Sequence, residues 1–295
     1  MTEVIETMEA ADWAWHPDAG ISLNATEALE DGNVLYFPRL TFALSEEESR
    51  FLNPGIVEPK AKSLAFNPAS GVLKHASGSE AERAAIAAMM NRYAGQTAQF
   101  VSTIFPHYAG KLQIGRTSFR PVAITAGNTS IPKDDTLLHI DAFPTSPVGD
   151  RRILRIFSNV NLDRQSRHWR LGEPFAGVAR TFFPELRKPL PGSAWLMKTM
   201  GLTRGYRTAY DQAMLGIHDA MKRDKRYQTE VTQRHFHFRP GSTWIVFTDM
   251  VSHAAMSGQH IFEQTFYLPV TAMADEVKSP QRILERMAGR ALAAA

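Results

Sequence analysis

Residues 137–147 read LLHIDAFPTSP, an apolar run that ends in His139-Ile140-Asp141 before a loop with two prolines. Alternate residues of a β-strand point to the same face of a sheet. On a strand, His139 and Asp141 would therefore lie side by side, while Ile140 points the other way. Because His-X-Asp also occurs by chance and at strand ends, these side chains are candidate metal ligands that need a third partner.

His253 is the natural third ligand, because it belongs to a later stretch with strong strand character. That stretch is TWIVFTDMVSHAAM (243–256), which we interpret as a strand in the hairpin that closes a sheet. Two histidines and one carboxylate occupy one face of an octahedral metal and leave three positions open, as in non-haem Fe(II) oxygenases. The pattern therefore predicts a metal site of His139, Asp141 and His253.

Two other histidine patterns compete with this interpretation. His235-X-His237 alternates on RHFHF and could be the metal pair of a cupin-type isomerase or metal-binding module, although no carboxylate follows at a useful spacing. His218-Asp219 lies on a predicted helix, where adjacent residues do not share a face, and we interpret it as structural. The sequence contains no G-x-S-x-G nucleophile elbow, phosphate loop or dinucleotide fingerprint.

Strand signals cluster in the middle and the last third of the chain. They fall on KLQIGRTSFRPVAI (111–124), TLLHI (136–140), RILRIFSNVNL (152–162) and the stretches between 234 and 270. Pro-Gly and Ser-Gly turns between the last strands predict antiparallel pairing of consecutive strands. The expected core is therefore a sandwich, jelly roll or barrel.

Helix signals flank these strands. Capping boxes begin a short helix at Ser45 and a long alanine-rich one at Ser79, and further helices are predicted for 204–226 and from Ser279. The predicted architecture is α+β in one domain, residues 1–295. Its parts are a mostly helical flanking region (1–110), a β-rich core (111–270) and a C-terminal helix (279–295).

The composition excludes several classes of protein. The chain has 295 residues, of which 44% are hydrophobic and 21% charged, as in globular proteins. It contains no cysteine, which excludes disulfides, thiolate metal sites and a cysteine nucleophile. No apolar stretch is long enough to cross a bilayer, and the acidic N-terminal segment lacks the pattern of a secretory signal. We expect a cytoplasmic protein.

Positive charge is concentrated in one part of the sequence. Residues 150–207 carry twelve Lys or Arg against four Asp or Glu, whereas residues 1–31 carry eight acidic side chains and no Lys or Arg. This excess predicts an anionic partner. Arg155 shares a strand face with Phe157 and can point into a pocket, where an arginine holds a carboxylate through two parallel hydrogen bonds.

Further arginines lie on either side of that strand. Arg116 and Arg120 share one face of the strand 111–124, and the loop RQSRHWRLGEP adds Arg164, Arg167 and Arg170. As a set they favour anion binding. A non-catalytic β-sandwich that binds an anionic glycolipid through these arginines is therefore also an open alternative.

Four blocks of the sequence resemble the Kdo hydroxylases. They are HIDAFPTSP, RRILRIFSNVNLDRQSRHWRLGEPF, YDQAMLGIHDAMK and FTDMVSHAAMSGQHIFEQTFYLP, and together they cover roughly residues 110–270. Members of this family are Fe(II)- and 2-oxoglutarate-dependent dioxygenases. They hydroxylate 3-deoxy-D-manno-oct-2-ulosonic acid (Kdo) in the inner core of lipopolysaccharide.

The resemblance implies a double-stranded β-helix, which is a jelly-roll core, with Fe(II) held by His139, Asp141 and His253. It also implies that O₂ and 2-oxoglutarate are consumed, that succinate and CO₂ are released, and that Kdo is hydroxylated at C3 to give Ko. A Kdo-bearing lipid A precursor would bring the enzyme to the inner face of the inner membrane as a peripheral protein. Nucleic acid is not an expected partner.

One feature departs from the pattern of many 2-oxoglutarate enzymes, which anchor the distal carboxylate with an arginine on the strand after the second histidine. Here that strand, QHIFEQTFYLP, offers only His260 and Gln264. We therefore expect Arg155 to anchor 2-oxoglutarate, which leaves Arg120 and Arg167 for the anionic sugar. Another anionic small molecule or an acyl chain is the alternative substrate.

Overall fold

Two β-sheets packed face to face form the centre of the molecule. The computed structural model describes residues 4–124, 130–186, 199 and 206–293. The strands are β1 (Ile5–Thr7), β2 (Val34–Phe37), β3 (Leu64–Asn67), β4 (Val72–Lys74), β5 (Gln113–Arg120), β6 (Arg151–Asn159), β7 (Arg167–Leu171), β8 (Arg234–Phe238), β9 (Thr243–Phe247), β10 (His253–Ser257) and β11 (Ile261–Pro269). The larger sheet has the order β1-β2-β9-β6-β11-β5-β3-β4, and the smaller sheet has the order β10-β7-β8.

The interior between the two sheets is largely aromatic. Trp169 of β7 packs edge-on against Phe157 of β6 and Trp244 of β9, with ring centroids 5.2 and 5.7 Å apart. The alternation of β7 places Arg167, Trp169 and Leu171 on this buried side. Two mainly antiparallel sheets that close over a shared core form a jelly roll, so the predicted α+β jelly-roll fold class is confirmed.

The pairing expected for consecutive strands is wrong. Among the described strands, β8, β9, β10 and β11 alternate between the sheets, and none of them pairs with the next. A turn reverses the direction of the chain, but burial decides which sheet a strand joins. Because β9 is buried along its whole length it takes a central place in the larger sheet, whereas the half-exposed β8 takes an edge. The stretch 243–256 is therefore two strands rather than one.

The helices cover the outer surfaces of the sheets. They are α1 (Ala19–Glu30), α2 (Glu46–Ser49), α3 (Glu80–Ile104), α4 (Phe175–Phe182), α5 (Ala209–Arg223), α6 (Lys225–Glu230) and α7 (Pro280–Ala288). The long helix α3 begins at the predicted capping box, in which the Glu82 amide donates to the Ser79 hydroxyl and the Ser79 amide donates to the Glu82 carboxylate. It packs on the back of the larger sheet, with Tyr93 4.8 Å from the ring of Phe262 on β11.

The other predicted helices differ from the structure only near their ends. The helix expected at 204–226 is observed as α5, which ends before Asp224, and Asp224 caps α6; residues 204 and 205 lie outside the described residues. The C-terminal helix begins after Ser279 as predicted. It ends earlier, because Gly289 adopts a left-handed conformation (φ 64°) that terminates it.

The first 110 residues contribute strands to the larger sheet as well as helices. Strands β1 to β4 lie at the two edges of the larger sheet and widen it. Thr41 and Leu40 join the core strands through hydrogen bonds to Gly241 and Thr243. Among the described helices, none is long and apolar enough to span a membrane.

Candidate active site

Backbone pairing brings the three predicted metal ligands together. His139 and His253 exchange two backbone hydrogen bonds of 3.0 and 2.9 Å, and the Asp141 amide donates to the carbonyl of Thr248. The predicted strand 136–140 is wrong, because this contact is an isolated bridge. The side chain of Gln228 replaces a neighbouring strand at Leu138, where it bonds both the amide and the carbonyl.

The orientation of each histidine leaves one ring nitrogen available. His139 Nδ1 lies 2.7 Å from the carbonyl of Leu137, and His253 Nδ1 lies 2.7 Å from the carbonyl of Val251. Since a carbonyl only accepts, each Nδ1 carries the proton and each Nε2 keeps its lone pair. Such backbone bonds are the usual way in which proteins orient metal-binding histidines.

The ligand atoms of His139, Asp141 and His253 all lie within 4.8 Å of one another, and the three side chains are buried. Burial lowers the pKa of both histidines, which keeps the imidazoles neutral and able to bind a metal. Burial alone would raise the pKa of Asp141, but the charge of Arg155 and a hydrogen bond from Thr248 oppose it, so the pKa is lowered and the group stays a carboxylate. Among the described residues, this is the one group of three or more such side chains whose ligand atoms, as positioned, all lie within 4.8 Å of one another.

Arg155, the predicted anchor of 2-oxoglutarate, lies directly behind the triad. Its Nη2 is 3.1 Å from Asp141 Oδ2, and its Nη1 is 3.1 Å from Glu263 Oε1. Although burial opposes the charge of Arg155, these carboxylates raise the pKa of the guanidinium. In this structure, Arg155 therefore supports a candidate metal ligand and neutralises Glu263.

Glu263 links Arg155 to Arg120, and it was not singled out from the sequence. Arg120 donates to Glu263 Oε2 through Nε and Nη2 at 3.1 and 2.9 Å. Burial would raise the pKa of Glu263, but Arg155, Arg120 and Arg116 lower it, so this fully buried group is ionised. The signal was present in the sequence, since a carboxylate within a largely apolar strand requires a buried cation.

Arg167 differs from these two arginines in lacking a carboxylate partner among the described residues. It is 5% exposed, and its Nη1 donates to the carbonyl of Gly258 at 3.1 Å. Burial, together with Arg120 nearby, lowers the pKa of Arg167 to about 9, which still leaves it charged at neutral pH. Gly258 has φ 107°, and a Cβ there would lie 3.0 Å from the Arg167 Cα, so glycine is needed for this close approach.

Helix α5 contributes two further residues to this region. His218, interpreted from the sequence as structural, places its ring 5.5 Å from that of His139 and pairs with Asp219. One turn later, the buried Lys222 donates to the carbonyl of Pro132. Burial lowers the pKa of Lys222, and the carboxylates of Asp135 and Asp141 oppose that shift. The sequence showed no signal for Lys222, because its place near the triad depends on how α5 packs.

The competing histidine pair lies elsewhere. His235 and His237 are exposed on β8, next to His168 of β7. These three side chains alternate with the inward-facing Trp169 and Phe238, so they lie on the outer face of the smaller sheet, away from the triad. The pair therefore does not take part in the buried site.

A jelly roll with two histidines and one aspartate buried between its sheets defines a class, the non-haem iron dioxygenases. A family model described as 3-deoxy-D-manno-oct-2-ulosonic acid (Kdo) hydroxylase matches residues 12–291. This chain therefore belongs to the Kdo hydroxylase family, as the sequence blocks predicted.

Solved structures agree with this assignment. The apo structure of the Kdo hydroxylase KdoO, described as a non-haem Fe(II) α-ketoglutarate-dependent dioxygenase, is 44% identical with a TM-score of 0.95, covering 98% of this chain and 97% of that one. Its cobalt(II) complex is also 44% identical, with a TM-score of 0.97 and coverage of 99% and 98%. Its complex with α-ketoglutarate and Fe(III) is 44% identical, with a TM-score of 0.94 and coverage of 98% and 97%. A comparison with curated proteins found no significant match.

Proposed function

We propose that this protein is an Fe(II)- and 2-oxoglutarate-dependent dioxygenase that hydroxylates Kdo at C3, with His139, Asp141 and His253 as the iron ligands. The observation that carries the proposal is the buried triad, whose ligand atoms lie within 4.8 Å of one another. Membership of the Kdo hydroxylase family supports the substrate class.

The donor set fits Fe(II). Two neutral imidazoles and one carboxylate leave open positions for a bidentate co-substrate and O₂. When bound, Fe(II) and 2-oxoglutarate supply the activation of O₂, with succinate and CO₂ as products of the co-substrate. The chain orients the two imidazoles through the carbonyls of Leu137 and Val251 and holds the carboxylate of Asp141 with Arg155. Burial of the triad keeps bulk water away from the reacting atoms.

We assign the distal carboxylate of 2-oxoglutarate to Arg167, rather than to the Arg155 expected from the sequence. Arg155 contacts the proposed iron ligand Asp141, and its charge is already compensated by Asp141 and Glu263. It is therefore better suited to the end of the co-substrate that binds the metal than to the distal carboxylate. Arg167 is a buried cation with no carboxylate partner among the described residues, and an anion would compensate its charge. Arg120 remains the proposed contact for the anionic sugar.

The proposed substrate is Kdo attached to a lipid A precursor, which carries carboxylates and phosphates. Residues 150–207 carry an excess of Lys and Arg, and apart from Arg152 and Arg155, which are buried and paired with carboxylates, this charge supports an anionic substrate and attraction to an anionic membrane surface. The protein would then be cytoplasmic and peripheral to the inner face of the inner membrane, and its partners would be the lipid-linked sugar and O₂.

Two measurements test the proposal. Anaerobic addition of Fe(II) and 2-oxoglutarate should produce a weak visible charge-transfer band, and His139→Ala or Asp141→Ala should abolish it. In air, succinate release should depend on Kdo-lipid A and should not be supported by lipid A alone.

A matched control is His16→Ala, since His16 is exposed and far along the chain from the triad residues. This variant should retain both the band and substrate-dependent succinate release. Survival of the band in the triad variants would exclude these residues as ligands. Equal succinate release with lipid A and Kdo-lipid A would exclude Kdo as the substrate.

A further inference from the structure

Three histidines form a cluster on the outer face of the smaller sheet. His168 on β7 lies directly opposite His237 on β8, and His235 lies two residues earlier on the same face of β8. His235 and His237 are exposed, and His168 is partly buried. Their side chains alternate with the inward-facing Trp169 and Phe238, so the sheet separates them from the iron site.

The geometry of the cluster suits a shared ligand. His168 Nε2 lies 2.9 Å from His235 Nδ1, a distance at which one ring can donate to the other. Two nitrogens that each bind one zinc ion at its usual bond length are separated by about 3 Å or slightly more. A metal ion could therefore replace the shared proton once both rings tilt to point their lone pairs at an ion that lies off the line between the two nitrogens.

The third histidine lies on the other side of His168. The ring of His237 stacks on that of His168, with centroids 4.3 Å apart and planes inclined by 10°. Because it is exposed, its side chain can change rotamer rapidly. Rotation towards the pair would add a third imidazole, and water would fill the remaining positions.

The surroundings of His168 favour its neutral imidazole. Burial lowers the pKa of His168, and His237, His235 and Arg170 lower it further. The Arg170 guanidinium is directed away from the cluster, towards the carbonyl of Thr136 and the sulfur of Met256. Among the described residues, none of the three histidines pairs with a carboxylate. Imidazole ligands without carboxylates suit zinc, nickel and copper better than magnesium or calcium.

We propose that His168 and His235, with His237 as a third ligand, bind one divalent transition-metal ion on the outer face of the smaller sheet. This site is separate from the proposed iron site, and the proposal does not depend on the enzymatic activity.

The experiment is a calorimetric titration of the untagged full-length chain with Zn²⁺. The wild type should bind two equivalents, one at each site. His253→Ala should lose the equivalent at the triad, whereas His235→Gln should lose the outer one or bind it at least about tenfold more weakly, an effect that even outer-shell partners can have on metal affinity. His168→Gln should behave as His235→Gln, because both rings would supply direct ligands.

The exposed His16 offers a matched control, and His16→Gln should retain both equivalents. Thermal unfolding should show that His235→Gln is as stable as the wild type, since its side chain is exposed. A single equivalent that is lost in His253→Ala but kept in His235→Gln would overturn the proposal, because the outer site would then bind no metal. So would a second equivalent that persists in both His235→Gln and His168→Gln, because the ion would then be held elsewhere.

Discussion

At the scale of single residues, two arginines three positions apart on β6 have different environments. Arg152 points to the outer side of the larger sheet, where it forms two hydrogen bonds with Asp249 of 2.7 and 3.1 Å. Arg155 points inward and is shared between Asp141 and Glu263. Strand alternation places residues three apart on opposite faces, but it does not identify their partners. An arginine's role in this protein depends on which carboxylate has already compensated its charge.

The proposed roles of Arg155 and Arg167 lead to different kinetic effects. Arg167→Gln should raise the KM for 2-oxoglutarate about tenfold to a hundredfold, since a charge-assisted hydrogen bond contributes roughly 1.5–3 kcal/mol. Arg155→Gln should instead weaken Fe(II) binding about tenfold to a hundredfold, because it removes the partner of a metal ligand. Steady-state kinetics and metal titration of both variants measure these effects.

The exposed Arg164, three residues before Arg167 and outside β7, provides the control. Arg164→Gln should leave both the KM for 2-oxoglutarate and the affinity for Fe(II) unchanged. If Arg155→Gln raised the KM while Arg167→Gln did not, Arg155 would be the anchor, as expected from the sequence.

At the scale of secondary-structure elements, helix α3 shows how local chemistry determines where an element begins. The Ser79 hydroxyl accepts a hydrogen bond from the Glu82 amide, and the Glu82 carboxylate accepts from the Ser79 amide. These bonds also lower the pKa of Glu82. The helix then buries Tyr93 against the ring of Phe262 on β11. The capping residues were therefore predictable from the sequence, whereas the strand beneath the helix was not.

Ser79→Ala should destabilise the protein by about 1 kcal/mol, the usual cost of losing an N-cap side chain. Chemical denaturation should show the lower stability with an unchanged dependence on denaturant. Iron binding should be unaffected, because α3 lies on the back of the larger sheet. Ser70→Ala, at an exposed turn, is the matched control and should cost little. An equal loss of stability in both variants would contradict a capping role.

At the scale of the whole molecule, the site joins parts of the chain that are far apart in sequence. The backbone bridge connects His139 to His253 of the smaller sheet, while Arg155 and Glu263 support Asp141 from the larger one. A ligand that binds only when these parts are assembled must stabilise the fold as a whole. At a ligand concentration a hundred times its dissociation constant, the gain is about 2.7 kcal/mol.

In the presence of Co(II), added 2-oxoglutarate should therefore raise the unfolding temperature of the wild type. His139→Ala should remove this increment, because 2-oxoglutarate would have lost the metal to which it binds. His235→Gln should keep the full increment, since the outer histidines lie on the opposite face of the sheet. Differential scanning calorimetry measures all three chains, and an increment that persists in His139→Ala would argue against the proposed site.

The sequence by itself determined the local features: the candidate ligands His139 and Asp141 two residues apart, the helix starts and the face that Arg155 shares with Phe157. These follow from the periods of strands and helices and from capping chemistry, which act over a few residues. Only the tertiary structure decided which strands join which sheet. It also decided that the side chain of Gln228 hydrogen-bonds the backbone of Leu138, beside the bridge between His139 and His253, and that Glu263 compensates the charge of Arg155. Burial and charge compensation depend on groups that are distant in sequence, so no local pattern could contain them.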